Sequence, residues 1–140
     1  MMDLEQARRI LESGEYTCVL CRGSQVYTAT ARGVKPLVDW LDRGLDLKGF
    51  SAADKVVGRA TAFLYVLLGV RAVHARVMSE PAMEVLNTNA ISASCDRLVS
   101  GIINRRGDGP CPFEEAVLSI HDPQEALKAI RAKQQQMRQH

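Results

Sequence analysis

The stretch "SAADKVVGRATAFLYVLLG", residues 51 to 69, constrains this chain more than any other. From Val56 to Val70 it holds one charge, Arg59. A membrane-spanning helix needs about 20 apolar residues, so this stretch is too short to span. A helix that is apolar all round is covered on most sides. We therefore expect Val56 to Leu68 in a central, buried helix. Ser51 would cap it, Asp54 would stand at the third helical position in a capping-box-like start, and Gly69 would end it.

The rest must wrap that helix. Residues 3–13 carry Leu4, Ala7, Ile10 and Leu11 at helical spacing. "YTCVLC" (16–21) and "QVYTATA" (25–31) alternate like strands around a turn and predict a hairpin. Residues 33–44 read as a short helix. "VRAVHARVMS" predicts a strand over 71–78. "EPAMEVLNTNA" predicts a helix with Pro81 in its first turn. "ISASCDRLV" predicts a strand over 91–95, running into a polar loop at 100–110. Residues 112–120 read as a short helix. Asp122 and Pro123 open the last helix, whose glutamine-rich tail, from about 132, is expected to fray. Strands interleaved with helices predict a mixed sheet covered on both faces, and the 71–78 and 91–95 strands should pair in parallel.

With 140 residues, 46% of them hydrophobic, the chain suits one domain spanning 1–140. A net charge of +2 gives no case for nucleic acid. The start, "MMDLEQARRILESG", is charged and amphipathic, unlike a secretory leader. Cys18, Cys21, Cys95 and Cys111 then read as reduced thiols of a cytoplasmic protein. Cys18 and Cys21 lie three apart on a predicted strand. Their side chains therefore face opposite ways and cannot share a metal. His74 and His121 have no metal or triad partner at a recognisable spacing.

The order α-β-β-α-β-α-β, with a buried core helix and a proline at the next helix start, resembles the cytidine-deaminase-like fold. "DKVVGRATAFLYVLLGV", "SEPAMEVL" and "IINRRGDGPCPFEEAVL" are together similar to a small prokaryotic family, a domain of unknown function, with that fold. The likeness runs from about residue 3 to 130. It implies an α/β three-layer sandwich with a mixed sheet, and no established reaction. Working deaminases hold zinc through H-x-E and P-C-x-x-C motifs. Here the second motif reads Pro81-Ala82-Met83-Glu84-Val85, with Ala82 and Val85 in the cysteine slots, and no histidine stands around Asp54, Lys55 and Val56. We expect no metal, no cofactor and no zinc-dependent deamination.

What the resemblance leaves is a crevice where two helix starts converge, at Ser51 to Asp54 and at Ser79 to Pro81. Helix starts favour anions and polar ligands. Asp54 and Lys55 would bind at the first, Ser79 and Glu80 at the second, with Asn104 and Arg105 reaching in from the "NRRG" loop. Glu80 and Arg59 are better explained as caps or solvated charges than as pocket residues. Cys111, the expected N-cap of the 112–120 helix, is the candidate nucleophile. Glu114 would also bond back to its amide, as in a capping box. Three readings stay open: a zinc-free domain binding a small polar or nucleotide-like ligand, an enzyme using Cys111, and a protein- or RNA-interaction module. A homo-oligomer is compatible with each.

Overall fold

The computed structural model describes residues 2–139. In chain order the elements are α1 (Met2–Ser13), β1 (Cys18–Arg22), β2 (Gln25–Ala29), α2 (Lys35–Asp42), β3 (Ser51–Val57), α3 (Arg59–Leu68), β4 (Ala72–Ser79), α4 (Glu80–Thr88), β5 (Ser92–Val99), α5 (Pro112–Ala116) and α6 (Pro123–Arg138). Its first seven elements follow the α-β-β-α-β-α-β order. The sheet runs β2-β1-β3-β4-β5. β1 is antiparallel to both neighbours, while β3, β4 and β5 are parallel.

The 51–69 stretch is two elements, which corrects the expectation of one long helix. Ser51 to Val57 form the central strand β3, and Gly58 separates it from α3. A strand buried on both faces loses its alternation and reads as a continuous apolar run. Ser51, Ala52, Ala53 and Asp54 are all buried. Asp54 and Lys55 therefore sit on a strand, and Ser51 caps no helix.

α1 alone covers one face, packing Ala7 and Leu11 against Val19, Cys21 and Ala53. On the other face lie α2, α3 and α4, with α5 and α6 laid over the outside of α3. Ala126 and Ile130 of α6 reach the core from there. α3 is thus covered all round, which is why Ala60 to Tyr65 need no polar face. The result is a three-layer α/β sandwich with two added helices.

The hairpin forms in the expected place, Cys18 opposite Ala29 and Arg22 opposite Gln25. Cys18 joins the core on the α3 side and Cys21 the one under α1, so the two thiols do face opposite ways. β5 runs on to Val99, well past residue 95, and α5 stops at Ala116. The glutamine-rich segment is part of α6, which continues to Arg138. Among the described residues no helix is long and apolar enough to cross a membrane.

Candidate functional site

The expected convergence of two helix starts is filled by the chain itself. α3 begins after Gly58, and its first amides are taken by a side chain from α5. Glu114 accepts from Arg59 N at 2.7 Å through Oε1 and from Ala60 N at 2.9 Å through Oε2. Carboxylates suit helix starts because free N–H groups and the dipole both favour negative charge. A Cβ on Gly58 would lie 2.5 Å from Glu114 Oε1, so only glycine leaves room for this contact. Glu114 therefore makes no capping box with Cys111. The α4 start is capped by fully buried Ser79, whose Oγ accepts from Ala82 N at 3.1 Å. Ser79 is thus a cap and lines none of the cavities described below, and Glu80 is exposed.

Arg59 is buried as well, not a solvated charge. It donates from Nε to Val117 O at 3.2 Å and from Nη2 to Ile120 O, and its guanidinium lies 5.1 Å from the Phe63 ring centre. Nη2 also lies 3.4 Å from Nδ1 of exposed His121. Glu114 and Arg59 together fasten α5 and the α5–α6 link to the start of the central helix.

Open space lies to one side, at the carboxyl end of β3, where ligands commonly sit in α/β sheets. A cavity of about 280 Å³ is lined by Thr17, Cys18, Arg32, Gly33, Asp54 and Lys55, among others. A second, of about 400 Å³, is lined by Arg32, Gly33, Asn104, Arg105, Arg106, Cys111, Phe113 and Met137, among others. Arg32 and Gly33 wall both. The structure thus brings Asp54 and Lys55 into one cavity and Asn104, Arg105 and Cys111 into its neighbour. Arg32 was not foreseen; it lies in a loop whose nearness to β3 exists only in three dimensions. Asn104 is occupied locally. Its Oδ1 accepts from Gly107 N at 2.8 Å and its Nδ2 donates to Asp108 Oδ1 at 2.9 Å, which shapes the loop that carries Arg105 and Arg106.

At the floor of the smaller cavity Asp54 stands opposite Cys18 in register. Tyr65 donates its hydroxyl to Asp54 Oδ2 at 2.6 Å. Burial pushes the Asp54 carboxyl up to about 6, against the opposing hydrogen bonds from Tyr65 and from the Val56 and Lys55 amides. Burial, then the nearby Asp54 charge, raises the Cys18 thiol well above its ordinary range. A carboxyl that holds its proton more tightly folded than unfolded favours folding at low pH, and loses that contribution as pH rises through the two values. Asp54 should therefore cost about 3 kcal/mol of stability between roughly pH 4 and pH 6. Urea unfolding across that range should show D54N gaining on the native chain by that order; parallel profiles would contradict the assignment.

Among the described residues no three His, Cys, Asp or Glu side chains gather to hold a metal. Ala82 and Val85 are buried in the core. His74 is a buried strand residue with Nδ1 2.8 Å from Ser94 Oγ and Nε2 3.2 Å from Asp96 Oδ1. Cys111 does precede α5 as its N-cap residue, but its side chain makes no capping bond. Cys21 is fully buried, while Cys95 and Cys111 are partly exposed. Cys95 and Cys111 are therefore the two thiols open to alkylation. Iodoacetamide on the native protein should label Cys111 and Cys95 at least tenfold faster than Cys18 and Cys21, since thiol reactivity requires access. Equal rates on peptide mapping would count against these burials.

Comparison with known proteins places this arrangement. The crystal structure of TM1506 from Thermotoga maritima, a DUF1893 family protein, superposes with a TM-score of 0.87 at 30% identity, covering 94% of this chain and 90% of that one. The structure of dCMP deaminase from the cyanophage S-TIM5 in apo form gives 0.45 at 10% identity, covering 67% of this chain and 94% of that one. A likeness of that degree says nothing about chemistry here. No curated protein matches the chain. The model of the domain of unknown function DUF1893 matches residues 6–134, and the chain belongs to that family.

Proposed function

We propose that this protein binds a small anionic, nucleotide-like molecule in the cleft formed by the two adjoining cavities. One observation carries the reading: Arg32, Lys55, Arg105 and Arg106 line the two neighbouring cavities, and Asp54 is the one acid among the lining residues. Cationic clefts focus anions and raise their local concentration. Phe113, Pro112, Ile103 and Met137 give the larger cavity apolar walls on which a flat ring can lie. The cleft, rather than the two helix starts, is the binding place, because Glu114 and Ser79 already satisfy those starts.

In this reading Cys111 is a wall residue. No histidine or carboxylate lines its cavity to take a thiol proton. The cations gather in a recess rather than a stripe, which favours a small ligand over RNA.

Calorimetry with ADP and with pyrophosphate tests the proposal. R32A and the R105A/R106A pair should each weaken binding roughly tenfold, the scale of one lost charge contact of about 1.4 kcal/mol, and added salt should weaken the native affinity. Unaltered affinity in the combined triple variant, or no binding of either compound by the native chain, would defeat it.

A further inference from the structure

The floor of the smaller cavity holds a carboxylate with no cation beside it. Asp54 is buried on the α3 side of β3. Its two oxygens accept from Tyr65 Oη at 2.6 Å and from Val56 N at 3.3 Å. Among the described residues no Lys, Arg or His nitrogen comes within 4.0 Å of it. The groups around it are the Cys18 thiol from β1, the Tyr65 hydroxyl from α3, and Lys55 and Arg32 in the cavity wall. Its β4 register partner is Ala75 and α2 contributes Pro36, neither of which titrates.

A buried carboxylate is normally paired. Here its two oxygens are met by neutral donors alone, in a recess whose other charged lining residues, Arg32 and Lys55, are positive. Resting on the anion-binding reading above, we propose that the ligand also carries a cationic nitrogen, an amine or amidine, which docks on Asp54. The cleft then selects zwitterionic molecules over purely anionic ones. The anionic group lies toward Arg32 and Lys55, and the nitrogen lies at the floor.

The raised proton affinity of Asp54 fits this geometry. In the empty cleft the neutral acid is favoured at low pH. A bound ammonium favours the carboxylate, so binding expels the proton when it is present. The preference for an aminated ligand should therefore be small at acid pH and develop as pH rises past about 6.

A matched pair of probes reads this out on the full chain: O-phosphoethanolamine, and ethyl phosphate, which lacks the amine. Titration followed by NMR should show the first binding roughly tenfold tighter at pH 7.5, with the ratio falling below about threefold at pH 5. Comparing the two cancels the ionisation of the phosphate itself. D54N should bring the ratio to about one, and its Asn still offers Tyr65 an acceptor, so the fold is kept. Y65F removes a hydrogen bond that stabilises the charged carboxylate, so it should move the onset of the preference to higher pH. Equal binding of the two probes at pH 7.5, or a preference that survives in D54N, overturns the inference and leaves the anion-binding reading standing. Failure of both probes to bind where pyrophosphate still binds overturns the inference alone, and failure of ADP and pyrophosphate as well defeats both.

Discussion

Replacing Gly58 with alanine should destabilise the protein by about 2–3 kcal/mol, the loss expected for two charge-assisted bonds at a helix start. The backbone does not object, since Gly58 has φ −99° and ψ −178°, open to any residue. Elsewhere a glycine-to-alanine change at such a conformation is mildly stabilising. The cost arises because the new methyl would lie 2.5 Å from Glu114 Oε1 and expel the carboxylate from the Arg59 and Ala60 amides. E114A should lose a similar amount by the direct route. The diagnostic is the double variant. G58A/E114A should be little worse than E114A alone, because the three atoms nearest the new methyl all belong to the Glu114 carboxylate, whereas additive losses measured by urea unfolding would show that Gly58 serves some other purpose.

The second large effect is at Arg59. Replacing it with methionine keeps most of the length and the contact with Phe63 but leaves the carbonyls of Val117 and Ile120 without a donor. A buried acceptor left unmade costs about 1–3 kcal/mol, so R59M should lose roughly 3 kcal/mol in all, or about 10 °C in Tm at this size. The loss should be uneven. Amide exchange should accelerate first in α5 and α6, which the guanidinium ties to α3, and later in the β1-β3-β4 core. A uniform loss of protection would mean that Arg59 does not anchor that flank.

Both effects sit at a junction that the sequence only half discloses. The apolar run from Ala60 to Leu68 says plainly that a buried helix is present. The same run hides the strand before it, because Ala52, Ala53 and Val57 are as apolar as the helix that follows. Gly58 was the visible punctuation, since glycine inside an apolar run often marks an element boundary. Missing β3 misplaced the candidate site by one element: Asp54 and Lys55 were assigned to a helix start and in fact line a cavity beside a strand end. Their identity was legible and their geometry was not.

Arg105 and Cys111 were legible as members of an unusual loop and do meet in one cavity. Ser79 read correctly as polar at a helix start, and its buried cap explains it without a ligand. Arg32 and Tyr65 carried no local signal, and the local signal of Glu114 pointed to a capping box with Cys111. Arg32 reaches the cleft through the loop after β2, Tyr65 reaches Asp54 across the sheet–helix interface, and Glu114 reaches Arg59 from 55 residues away. Such contacts depend on topology, and no spacing rule within one element contains them.

The proposed recognition of anions in the cleft walled by Arg32 and Gly33 has a direct test. The direct measurement is an amide-resolved NMR titration of the full chain with inorganic pyrophosphate at low salt. Saturable shifts should concentrate at Gly33, Asp54, Lys55, Arg105 and Arg106 and weaken with added salt, with Arg59 and Ala60 quiet because Glu114 holds their amides. Shifts centred on Arg59 and Ala60, or none that saturate anywhere, would contradict it.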